Sequence, residues 1–169
     1  MAAPLAEPGQ RLLARIVDTL VVGLPVVIVV RALVSGPMVD VVAPPAVGGC
    51  LLLYESIQLA LWGRTLGKRF AGIEVIVATS AEESSAGEHA AAEEAGGGGR
   101  LGVPRAVLRA AVYSLPIAVR PIPVLGGLAG IFWIANAGML YEGSRRQALH
   151  DRLAGTVVVK RPPPDSPAF

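Results

Sequence analysis

Residues 42–62 read VAPPAVGGCLLLYESIQLALW, and in that length only Glu55 carries a charge. An apolar run of about 20 residues is what a helix needs to cross roughly 30 Å of hydrocarbon. Two more runs flank it. Ile16–Val34 holds only Asp18 and Arg31 as charges, and Ile122–Tyr141 holds none. The whole chain agrees: 53% of its 169 residues are hydrophobic and 17% charged, with a mean hydropathy of +0.56. An ordinary soluble domain carries about 25% charged residues. The expectation is an all-α membrane protein, a multipass helical bundle. A signal peptide is a poor reading of the first run, because Met1–Gln10 has no basic segment and no small-residue cleavage site follows Val34 closely. Cys50 is the single cysteine, which excludes an intramolecular disulfide or a cysteine-cluster metal site. It is expected to pack as a small apolar residue.

Basic residues orient the spans. Arg11 and Arg15 precede the first run, while Arg64, Lys68, Arg69, Arg100 and Arg105 follow the second. Arg145, Arg146, Arg152, Lys160 and Arg161 follow the last. The loop between the first two runs carries Arg31, Asp40 and prolines 37, 44 and 45, and reads as external. Both termini are then cytoplasmic, which requires an even number of crossings. Ala106–Val119, extended back to Val103, supplies the fourth, with Arg120-Pro-Ile-Pro123 as an external turn. Four spans (about 16–34, 42–62, 103–119 and 122–141) are preferred over three. Residues 1–10 read as a cytoplasmic tail and 11–161 as the membrane domain. Segment 78–100, with five glutamates and a four-glycine run, reads as a disordered acidic insert, and 162–169 as a disordered tail.

Ionisable groups inside apolar runs need partners or water. At 100° per residue Arg11, Arg15 and Asp18 share a stripe on the first helix, and Glu55, Gln58 and Trp62 share one on the second. Both stripes are expected to face inward. Arg15 and Asp18, at i, i+3, are expected to pair, leaving Arg11 for Asp151, a lipid phosphate or a carbonyl. Buried carboxylates have the raised pKa that proton exchange requires, so Asp18 and Glu55 are candidates for an ion site. Gly126 and Gly130 form a GxxxG expected to pack helices, with Asn136 hydrogen-bonding across them.

Residues 63–75, GRTLGKRFAGIEV, use the vocabulary of a phosphate loop but not its spacing. A Walker A loop needs four residues between its glycines and Ser or Thr after the lysine; here three separate Gly63 from Gly67, and Arg69 follows Lys68. A strand, not a helix, is expected at about 70–78. A better comparison is internal: RFAGIEVIV (69–77) and RLAGTVVVK (152–160) match position by position. Each is Arg, a large apolar residue, Ala, Gly and a β-branched run after a short basic turn. Two such strands on one side of the membrane are expected to pair as a cytoplasmic β-ribbon cap.

With these pieces in order the chain resembles the RDD family of small bacterial integral membrane proteins. The likeness rests on RLLARIVD (11–18), GRTLGKRFAGIEV (63–75) and LHDRLAGTVV (149–158). The arginine and two aspartates that name the family correspond to Arg11, Asp18 and Asp151. Thr65, Gly67, Lys68, Gly72, His150, Gly155 and Thr156 belong to the same motifs. The resemblance implies a multi-pass protein of the bacterial inner membrane, with movement of monovalent cations, protons or a small ligand suggested. Asp18 and Glu55 would then be the responsive carboxylates, with Arg11 and Arg15 their partners and Asp151 paired at the cytoplasmic end. The alternative is a non-transporting scaffold or accessory subunit that binds a protein partner through its cytoplasmic face. The lipid bilayer is the first expected partner, and a homo-oligomer is a further one. No cofactor or metal is called for. Enzymatic activity is not expected: His150, Asp151 and Lys68 are nominal acid–base groups, but neighbours in sequence usually point apart, and no nucleophile accompanies them. Nucleic-acid binding is disfavoured, since the basic residues flank spans with few aromatics beside them.

Overall fold

A computed structural model describes residues 4–77, 101–139 and 147–160. The acidic segment 78–100 and the tail 162–169 lie outside the described residues. The structure is mostly helical, with one two-stranded sheet. Helix α1 runs Pro8–Leu33 and α2 runs Met38–Trp62. Both are long and apolar enough to cross a membrane. A five-residue helix, α3 (Leu66–Phe70), leads into strand β1 (Ile73–Val77). Then come α4 (Val103–Ala118), the apolar but shorter α5 (Pro123–Gly138), a second five-residue helix α6 (Leu149–Leu153), and β2 (Thr156–Lys160).

The strands pair antiparallel, with Ile73 opposite Lys160, Val75 opposite Val158 and Val77 opposite Thr156. The expected ribbon is therefore present. The chain's beginning completes it on the far side of β2, where Leu5 bridges Val159 and Ala6 N–H donates to the Val158 carbonyl at 3.0 Å. Among the described residues, the ends of the two basic turns expected before the strands are helical. Each holds a short helix, and a glycine with positive φ (Gly72, +68°; Gly155, +61°) reverses the chain into the strand. A residue with a Cβ resists that conformation. The internal echo is thus a repeated helix–glycine–strand unit, α3–β1 and α6–β2.

Three further expectations are corrected. Pro44 and Pro45 lie inside α2, near its start, rather than in a loop. Cys50 is exposed on α2 rather than packed. Among the described residues no helix packs on the Gly126/Gly130 pair: a Cβ on Gly130 would meet nothing within 4 Å, while Gly126 lies against the Arg120 carbonyl of the preceding turn. The close approach is at Gly48 instead. There a Cβ would sit 2.9 Å from Ala118 Cβ and 3.0 Å from the Ser114 carbonyl oxygen, where α2 packs on α4.

The apolar core lies under the sheet, formed by Ala14, Leu59, Ile73, Val75, Ala106 and Val158 among others. Elsewhere the helices expose large apolar side chains, such as Leu24 and Ile28 on α1, Leu53 and Ile57 on α2, and Ile131 and Ile134 on α5. Such an exterior suits contact with lipid. In detergent, Gly48→Val is expected to force α2 and α4 apart and cost about 1–3 kcal/mol. Gly130→Val should leave the melting temperature of the monomer unchanged. Thermal unfolding of the two variants checks this contrast.

Candidate functional site

Charged groups gather where the sheet meets the starts of α1 and α4 and the end of α2. Asp18, 3% exposed, accepts three hydrogen bonds: Tyr54 Oη at 2.7 Å, Thr65 Oγ1 at 2.5 Å and the Gly67 amide at 2.8 Å. Every donor but Tyr54 comes from α3 or its N-cap, so Asp18 fastens the first helix–glycine–strand unit to α1. The same hydroxyl of Thr65 caps α3 by accepting from Lys68 N–H, a standard use of a threonine at that position. Gly67 is glycine because its backbone presses on α1. A Cβ there would collide with the Ala14 carbonyl and the Asp18 carboxylate.

The expected Arg15–Asp18 pair is not made. Arg15 crosses to α2, where Nη1 donates to Glu55 Oε2 at 2.7 Å, and its guanidinium lies 3.8 Å over the Tyr113 ring. Lys68 Nζ donates to the other Glu55 oxygen at 3.1 Å. Glu55 is therefore bracketed by two cations, Arg15 from α1 and Lys68 from α3. The inward stripe on α2 stops short of Trp62, which is 52% exposed and lies under the Arg69 guanidinium.

Asp151 is fully buried and collects partners from two helices. Arg11 Nη1 donates to Oδ2 at 3.0 Å and Arg109 Nη1 pairs with Oδ1. Oδ2 also accepts from the Ala148 amide and so caps α6. Arg109 further donates to Thr156 Oγ1 at 2.7 Å, and Arg11 to the Val158 carbonyl at 3.3 Å. Contrary to the expectation for sequence neighbours, His150 turns towards Asp151, with Nε2 3.4 Å from Oδ1. Asn136 bonds across elements, as expected, by accepting from the Leu149 amide at 3.0 Å.

The structure thus unites Arg11, Arg15, Asp18, Glu55, Thr65, Gly67, Lys68, His150, Asp151 and Thr156, with Gly72 and Gly155 serving as hinges into the strands. Sequence reasoning missed Arg109, Tyr54 and Tyr113. Arg109 had a signal: an arginine interrupting an apolar run needs a buried partner.

Burial and charge set the protonation of the groups on the short helices. Burial pulls the Lys68 ammonium down to about 8, against the attraction of Glu55. His150 is pushed down to about 3, again by burial, with Asp151 opposing only in part. Burial alone would oppose ionisation of Asp151, but Arg109 and Arg11 outweigh it and hold the carboxyl below its ordinary range. These groups line or border a cavity of about 450 Å3 between α1, α4 and α5.

The sequence model of the RDD family matches residues 5–91, just over half of the chain. The protein belongs to the RDD family. No curated protein and no solved structure matches the chain. The matched part holds Arg11, Asp18 and the Thr65–Gly67–Lys68 group of this RDD protein. Asp151 lies beyond it, and its partnership with Arg11 rests on geometry. Family membership and the two long apolar helices are consistent with a membrane protein.

Two expectations follow. Asp18→Asn places amide protons against existing donors, and Gly67→Ala pushes α3 from α1; each should cost about 2–3 kcal/mol. Because both break one contact, the double variant should lose clearly less than the sum, read from thermal unfolding of all four proteins. The depressed His150 pKa means that the unfolded chain takes up a proton below about 6.5, whereas the folded chain does not until about 3. Its contribution is therefore present above 6.5 and lost as pH falls, by at most about 1.4 kcal/mol per pH unit. Melting temperatures between pH 7 and 4.5 should fall for the native chain and fall less for His150→Gln.

Proposed function

We propose that this RDD protein is a multi-pass protein of the bacterial inner membrane whose charged core is a ligand site at the sheet end of the bundle. Four crossings by α1, α2, α4 and α5, with both termini and the sheet cytoplasmic, fit the distribution of basic residues. Helices α4 and α5, at 16 residues each, extend about 24 Å by helical rise, and a locally thinned bilayer accommodates them.

The observation that carries the ligand reading is the order of charges around the cavity. Arg11, Arg15, Lys68 and Arg109 line it together with Asp151, whereas Glu55 and Asp18 are not among its lining residues. A cation pathway wants carboxylates facing the ion. Here Glu55 and Asp18 are engaged by protein donors and the wall carries four basic residues beside Asp151, an excess of positive charge that suits a small anionic or partly anionic ligand.

A second reading, proton-coupled movement of a monovalent cation, draws on Lys68. Its ammonium, lowered to about 8, pairs with Glu55 beside the cavity and could exchange a proton near neutrality. Proteoliposomes separate the two. The ligand reading expects no sodium- or potassium-dependent proton flux above empty vesicles. A flux that Glu55→Gln abolishes while the variant remains folded would overturn it in favour of the second.

A further inference from the structure

The cavity has two chemically different ends. Along α1 its wall runs from Arg11 to Leu20, about 14 Å by helical rise. The end near the sheet is lined by Arg11, Arg15, Lys68 and Arg109, which also hold Asp151 and Glu55, and Asp151 is the one carboxylate among its described lining residues. The other end is apolar, with Ile16 and Leu20 on α1 facing Trp133 on α5. Ile16 and Leu20 are about half exposed, 48% and 57%. They continue the exposed apolar row of Leu24 and Ile28 on the same helix, and from this we infer that the slot opens sideways along α1. Arg109 and His150, both in the lining of this cavity, each keep a buried nitrogen, Nε and Nδ1, that makes no hydrogen bond with the described residues. Both residues are more than nine-tenths buried.

We propose that this slot holds a phospholipid with a monoanionic phosphodiester headgroup, its phosphate among Arg15, Lys68 and Arg109 and one acyl chain along Ile16, Leu20 and Trp133. The proposal deepens the ligand-site reading above and rests on it. Guanidinium and ammonium donors match phosphate oxygens in charge and geometry. A free anion would satisfy the charged end and leave the apolar wall unused, whereas a lipid occupies both. The lateral opening lies where a lipid arrives already oriented, headgroup towards the basic end. An acyl chain is as well accommodated in the bilayer as in the slot, so it contributes little selectivity. Discrimination therefore falls on headgroup charge, and the preference over a zwitterionic lipid should be on the order of tenfold.

The test uses the full chain in detergent, offered equal amounts of dioleoylphosphatidylglycerol and dioleoylphosphatidylcholine and read by native mass spectrometry and thermal unfolding. The expected result is one phosphatidylglycerol per chain, retained roughly tenfold over phosphatidylcholine, with a raised melting temperature. Ala137→Phe and Thr19→Phe each fill a wall of the slot without touching an ion pair. Either folded variant should lose both the adduct and the thermal shift. Equal retention of the two lipids, or a preference that survives both variants, overturns the proposal. The deacylated headgroup, glycerophosphoglycerol, separates the layers of the argument. If it stabilises the chain as much as the lipid does, the lipid assignment fails and the ligand site stands. If neither compound shifts the melting temperature, the ligand-site reading fails as well.

Discussion

Asp151 is an anion with almost no access to solvent, and two guanidinium groups from separate helices meet it. A buried carboxylate is tolerable only when its charge and lone pairs are matched. That requirement fixes Arg11 on α1, Arg109 on α4 and the amide that opens α6 about one point. Arg11 and Arg109 then extend to the Val158 carbonyl and the Thr156 hydroxyl of β2. Segments far apart in sequence are held in register by one carboxylate. Removing any one partner leaves the others as uncompensated buried charges, so the group acts as a unit rather than as separable pairs.

The repeated helix–glycine–strand unit makes the same bargain twice with opposite signs. Lys68 and Asp151 occupy the same position in their five-residue helices, the third residue of each. Lys68 meets a carboxylate from α2; Asp151 meets guanidinium groups from α1 and α4. The strands pair with each other, while each short helix is tethered to the bundle by a charge of its own sign. Asp18 adds the remaining tether with neutral donors, which lets Gly67 lie against α1 more closely than a salt bridge between long side chains would allow.

Much of this was legible beforehand. The apolar runs announced the long helices, and the echo between 69–77 and 152–160 announced the sheet, because a short β-branched run after glycine has few alternatives. For Arg11 the sequence left Asp151, a lipid phosphate and a carbonyl open, and the structure brings it to Asp151 and to the Val158 carbonyl. What sequence could not show was which side chains face each other across helices. Spacing within one helix favoured Arg15 with Asp18, but the antiparallel neighbour brings Glu55 nearer to the guanidinium, and Asp18 is already satisfied by α3. The short helices escaped notice because five residues are too few for a periodic signal. The GxxxG misled for a related reason. Small residues permit close packing without specifying that a helix will come, and at Gly48, outside any such motif, one did.

The geometry also explains why the charges lie where they do along the membrane-length helices. Arg11, Arg15 and Asp18 fall in the first half of α1, and Glu55 falls near the end of the antiparallel α2, so all of them reach the sheet end together. The far halves of both helices are left almost wholly apolar on their exposed faces. Placing ionisable groups at one end keeps their desolvation cost below that of a mid-bilayer site, while the sheet closes over them from the other side. Cations then outnumber carboxylates on the wall of the slot because Asp18 and Glu55 are drawn back towards α3, which needs their oxygens as acceptors. The excess of cations on the wall is in this sense a by-product of how the sheet is fastened down: the contacts that hold α3 against α1 and α2 are the same contacts that set Arg15 and Lys68 beside the cavity.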